Sequence, residues 1–123
     1  MSETKEPEFD WSQAASLLGD DPSQVADDMA EIVRELVDSA EVQFKDLRAK
    51  KIETERKEIG SLAHQLRGCL LNFGFIEVGA ILLHVEKGDY AAVEYPGLLD
   101  KSEAAFIASR KMLGARYPSL KIS

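Results

Sequence analysis

Apolar residues along this chain step by threes and fours, and nowhere alternate for long enough to signal a half-buried strand. The clearest run is Val25, Met29, Ile32, Val33, Leu36, Ala40, Phe44 and Leu47, one face of a long amphipathic helix reaching to about residue 49. Asp21 as N-cap, Pro22 at the first helical position and Gln24 in a capping box are expected to open it. A short helix over 11–18 precedes it, capped by Asp10 with Gln13 completing a box and stopped by Gly19. A third helix is predicted over 53–73, ending at Gly74. A fourth, over 76–87 and closed by Gly88, is apolar on most sides and should sit between neighbours. After a connection broken at Pro96 and Gly97, Leu99, Phe106 and Leu113 mark a last helix over 98–116, ended by Gly114 and Pro118. The pattern predicts an all-α chain: an antiparallel four-helix bundle with an additional short N-terminal helix. Its expected limits are a flexible N-terminus over 1–9, the bundle over 10–117 and a C-terminal tail over 118–123.

Composition narrows the function. A chain of 123 residues can bury one core without staples, and 45% hydrophobic with 30% charged residues is ordinary for a folded protein. The net charge of −7 argues against a nucleic-acid partner, whose phosphates are held by Lys and Arg. A protein partner or small ligand fits better. Cys69 has no internal partner, the N-terminal residues lack the apolar core of a signal peptide, and no run approaches the ~18 residues of a membrane span. A cytoplasmic location without membrane association is expected. The charged stretch "KDLRAKKIETERKE" reads as a solvated turn.

One stretch resists a purely structural account. "GSLAHQLRGCLLNFG", residues 60–74, carries Gly60 and Gly68 each four residues from His64, although mid-helix glycine costs roughly 0.5–1 kcal/mol relative to alanine. At about 100° per residue, Ile59, Leu62, Leu66, Cys69, Leu70 and Phe73 share one arc that should face the core, which makes Cys69 a buried, inert thiol. His64 then points to solvent, with Gly60, Arg67, Gly68 and Leu71 around it. The glycines would clear the approach of another protein to the imidazole, with Leu71 as an apolar docking contact; the alternative is tight packing against a neighbouring helix. A neutral imidazole is a nucleophile, and the Arg67 guanidinium one turn away can stabilise a phosphoryl group.

"HQLRGCLLNFGF" resembles the active helix of histidine phosphotransfer (HPt) domains, with His64, Leu66, Arg67, Gly68 and Gly74 at the family's positions. The "NFGF" ending and Glu86 look closest to the phosphotransfer domain of chemotaxis-type histidine kinases. The likeness is strongest over about 60–87, where Val78, Leu82 and Val85 supply the apolar spacing. It implies a phosphocarrier rather than a self-sufficient kinase. His64 would accept a phosphoryl group from the phospho-aspartate of a response-regulator receiver domain and pass it to another receiver. Arg67 would stabilise it, and Glu86 would orient the ring through its other nitrogen. The implied partners are receiver domains and a hybrid histidine kinase, with Mg²⁺ on the receiver and no cofactor of the chain's own. The sequence departs from the family in Arg67 for the commoner lysine, and in Cys69 and Leu70 for small polar residues. His84 falls one residue late for the chemotaxis family's second histidine and reads as structural or surface.

Three other readings compete. The chain can be an HPt-like module that binds a receiver or kinase without carrying phosphate, a helical metal site using His64, His84 and Glu86, or a purely structural bundle. Nothing in the sequence demands a dimer, and a monomer is expected.

Overall fold

The computed structural model describes residues 6–122, and its regular elements are helical throughout, with no strand among the described residues. The helices are α1 (Trp11–Leu18), α2 (Asp27–Ala49), α3 (Arg56–Leu71), α4 (Ile76–Lys87) and α5 (Tyr95–Arg116), with 3₁₀ turns at Ala92–Glu94 and Pro118–Leu120. No helix among the described residues is long and apolar enough to cross a membrane.

Helix ends follow local chemistry where a cap is made, and shift where a stronger local bond competes. Asp10 caps α1 by accepting from the Gln13 amide at 3.1 Å, and Gly19 stops it with φ of 92°. Gln13 does not complete the predicted box; its side chain donates to the Asn72 carbonyl at 2.9 Å instead. Asp21 does not open α2. Its carboxylate accepts from the Ser23 amide and hydroxyl, and its carbonyl from the Gln24 amide, so 21–24 close a turn and α2 begins at Asp27. The α3 terminus is a Schellman turn: the Phe75 amide donates to Leu70 O and the Gly74 amide to Leu71 O, with Gly74 at φ 95°. α4 ends at Gly88 in the left-handed region, as predicted. Pro96 lies in the first turn of α5, where its missing N–H costs nothing, so the helix starts at Tyr95 and not at 98. Gly114 is buried within α5.

α3 packs against α4 and α2, and α5 against the same two; α3 and α5 do not meet. The centre is aromatic: Phe106 lies 5.6 Å from Phe44 and 5.8 Å from Phe75, ring to ring, and all three are buried. Burying each such side chain is worth about 1.5–3 kcal/mol. The predicted stripes of α2 and α5 are largely buried, although Ile32 turns outward at 46% exposure and Val25 precedes the helix. The Tyr95 hydroxyl donates to Leu47 O at 2.6 Å, tying the end of α2 to the start of α5, and burial pushes its pKa well above the ordinary phenol value.

Packing also continues beyond 10–117. Phe9 lies 5.2 Å from Phe75, Pro7 is buried, and the Asp10 amide donates to Gly74 O at 2.8 Å. Leu120 and Ile122 are buried, and Arg34 Nη1 donates to Leu120 O at 3.1 Å. Of the span expected to be flexible, residues 1–5 lie outside the described residues, whereas 6–9 are described and 7 and 9 pack inward.

The most extensive helix contact is between α3 and α4, and small residues let the two approach. A Cβ at Gly60 would stand 3.1 Å from the Glu86 carbonyl oxygen, and one at Gly79 would stand 2.6 Å from Leu71 Cδ2. At Gly74 a Cβ would lie 2.6 Å from Asp10 O, at a φ that L-residues rarely adopt. Gly74→Ala is therefore expected to destabilise the protein by more than about 2 kcal/mol, read as a lower urea midpoint with unchanged slope; a midpoint equal to wild type would show that this turn is not under steric constraint.

Candidate functional site

His64 stands on the outer side of α3 with its side chain 65% exposed, as the helical wheel predicts. Across the α3–α4 seam, the last turn of α4 presents Glu86. Its Oε2 lies 3.0 Å from His64 Nδ1, and its Oε1 accepts from Arg67 Nε at 2.9 Å. One carboxylate thus bridges the imidazole and the guanidinium. Partial desolvation pushes the Glu86 carboxyl upward, but the hydrogen bonds and charges of Arg67 and His64 outweigh it and hold the group below its ordinary 4.5.

That ionisation assigns the tautomer. An ionised carboxylate only accepts, so His64 carries its proton on Nδ1 and donates it to Glu86. The Nε2 lone pair is left on the outer edge of the ring. The arrangement provides an oriented, accessible nitrogen nucleophile whose opposite edge is backed by negative charge.

The surroundings of His64 differ from the expectation in four respects. Residues buried on α3 are Ile59, Ala63, Leu66 and Leu70. Their centre lies roughly 40° from that of the predicted arc, towards Ala63. Cys69 therefore falls outside the buried stripe and is exposed, not buried. Gly60 and Leu71 turn towards α4: Gly60 permits the close pass of the Glu86 backbone while also lining the groove beside His64, and Leu71 packs over Gly79, so both serve helix packing. Gly68 alone of the three docking candidates faces open space, with nothing within 4 Å of an added Cβ. Arg67 is half-buried beside Glu86 instead of standing free next to the imidazole.

His84 lies 3.4 Å from Asp89, separate from the His64–Glu86 pair, and no group of three or more His, Cys, Asp and Glu residues is arranged to hold a metal ion among the described residues. His64 also opens onto a shallow groove lined by Arg56, Lys57, Gly60, Ser61, Gln65 and the Glu86–Gly88 turn. The sequence reading missed these lysines and Arg56. Ser61 and Lys57, three and seven residues before His64, share its face and were legible by spacing. Lys87 and Arg56 join only because α4 ends beside the start of α3. Set against protein-family models, curated proteins and solved structures, the chain matches none.

Two outcomes check this geometry. Because Glu86 is depressed in the fold, its stabilisation is present above its unfolded pKa and is lost as pH falls through the lower folded value. Glu86→Gln should therefore destabilise more at pH 7 than at pH 3 in urea titrations, and an equal penalty at both would contradict an ionised bridge. Cys69 should react stoichiometrically with a thiol reagent in the native protein; protection until unfolding would return it to the core.

Proposed function

We propose that this chain is a stand-alone histidine phosphotransfer protein, an antiparallel four-helix bundle with an added N-terminal helix, acting in the cytoplasm in two-component signalling. The observation that carries the reading is the exposed His64 whose Nδ1 lies 3.0 Å from the Glu86 carboxylate, a contact that commits that nitrogen and leaves Nε2 as the nucleophile. Support also comes from the ring of contacts α3–α4–α5–α2, from open space at Gly68, and from the HPt-like motif spanning His64 to Gly74.

In this mechanism Nε2 attacks the phosphorus of a receiver's aspartyl phosphate. The bond between phosphorus and the acyl oxygen breaks, and the aspartate leaves as carboxylate. His64 keeps its Nδ1 proton, so the phosphorylated ring is cationic, and the Glu86 carboxylate 3.0 Å away stabilises that charge. Arg67 holds Glu86 in place and is a positioning residue; its charge favours the arriving phosphoryl group only at one remove. Mg²⁺ belongs to the receiver partner. Reversal of the same step delivers the group to a second receiver.

The test is incubation with a panel of phosphorylated receiver domains and Mg²⁺, followed by intact-mass analysis. Wild type should gain one acid-labile phosphoryl group and His64→Ala none, with the variant's stability within about 0.5 kcal/mol of wild type. Stable binding to a receiver without any adduct would favour a non-phosphorylated interaction module. At Gly68 stability and transfer should part: Gly68→Ala should raise stability by about 0.5–1 kcal/mol through helix propensity, and a bulkier residue should slow transfer without unfolding the protein. Unchanged transfer with a bulky residue would sink the clearance role.

A further inference from the structure

We infer that the groove beside His64 is an electrostatic dock for an acidic protein surface, the anionic face of the phosphoryl donor, with Lys57 and Lys87 as its contact cations. The inference rests on the phosphotransfer reading and names the partner chemistry of that site.

The chain as a whole carries −7, yet this groove has the opposite sign. Arg56, Lys57 and Lys87 line it against a single carboxylate, Glu86, whose charge Arg67 already neutralises and whose second oxygen His64 occupies. Arg56 is fixed in place: its Nη1 donates to Gly88 O at 3.2 Å and to Tyr90 O at 3.4 Å, and its guanidinium lies 5.1 Å from the centre of the Tyr90 ring. Lys57 and Lys87 are exposed and form no ion pair among the described residues. Two uncommitted cations from two helices therefore flank a nucleophile on an otherwise acidic molecule.

The occupant follows from shape and charge. The groove is open, so it suits an extended surface and not an enclosed small molecule. A nucleic-acid backbone would be repelled by the acidic remainder of the chain. An acidic patch limited to the rim of a protein's aspartyl-phosphate site meets the cations without reaching far onto the negative surface. Such rim charges act chiefly on association rate and on its salt dependence.

The experiment compares wild type with the double variant Lys57→Glu/Lys87→Glu. Transfer from a phosphorylated receiver is followed at 0.01 M and 0.15 M salt, where the Debye length falls from about 30 Å to about 8 Å. Phosphoramidate serves in parallel as a small donor: Nε2 takes the phosphoryl group, the P–N bond breaks and ammonia leaves. Transfer from the receiver to the double variant should be roughly tenfold slower at low salt and nearly insensitive to salt, while reaction with phosphoramidate proceeds at a closely similar rate. Lys111→Glu on α5, a helix that does not meet α3, should behave as wild type. A double variant that accepts from the receiver at the wild-type rate and salt dependence overturns the dock. Equal slowing with both donors also overturns it, since the lysines would then act on the imidazole and not on docking. Wild type that accepts from neither donor fails differently: it removes the phosphotransfer reading, and the dock with it.

Discussion

The close pass of α3 and α4 at Gly60 is the constraint on which the site depends. With only a hydrogen on Gly60, the Glu86 backbone passes where a Cβ would stand 3.1 Å from its carbonyl oxygen. This spacing brings the Glu86 side chain within hydrogen-bond reach of both His64 and Arg67, two residues three apart on the facing helix. Gly79 beneath Leu71 keeps the helices close further along, near the Schellman turn at Gly74 that reverses the chain. The helix-propensity cost of a mid-helix glycine is offset here by interhelical contact.

The shared carboxylate also sets the electrostatics. Glu86 has two oxygens and uses one on each partner, so the half-buried ion pair with Arg67 anchors the group that orients the exposed histidine. Division of labour follows: the buried side of the site is hydrogen-bonded and internally neutral, and the outer side carries the exposed imidazole and uncommitted lysines. On the proposed function, the chain would contribute a positioned nucleophile and leave phosphoryl activation to its partner.

Helix number and order were legible because each stripe repeats at the helical period and each stop has its own residue. α1 and α4 match the expectation at both ends, since Asp10, Gly19 and Gly88 act through bonds within a few residues. The misplacements arise where two local uses of one residue compete. Asp21 can cap a helix or close a turn with Ser23, and the turn wins; Pro96 can break a helix or begin one, and with Tyr95 buried it begins one. Cys69 lies at the edge of the predicted arc, and the neighbouring helices bury a face centred roughly 40° further towards Ala63, which leaves the thiol outside; spacing along α3 alone does not fix that rotation.

Spacing within single helices is enough to fix the helical class, the outward direction of His64 and its neighbourhood with Arg67 and Gly68. Tertiary structure alone decided that Glu86 is the carboxylate shared by His64 and Arg67, that Gly60 and Leu71 serve packing while Gly68 stays open, and that Arg56 and Lys87 border one groove. Those facts depend on the distance and rotation between two helices, which are fixed by side chains on both, and periodicity along one strand of sequence carries no measure of either.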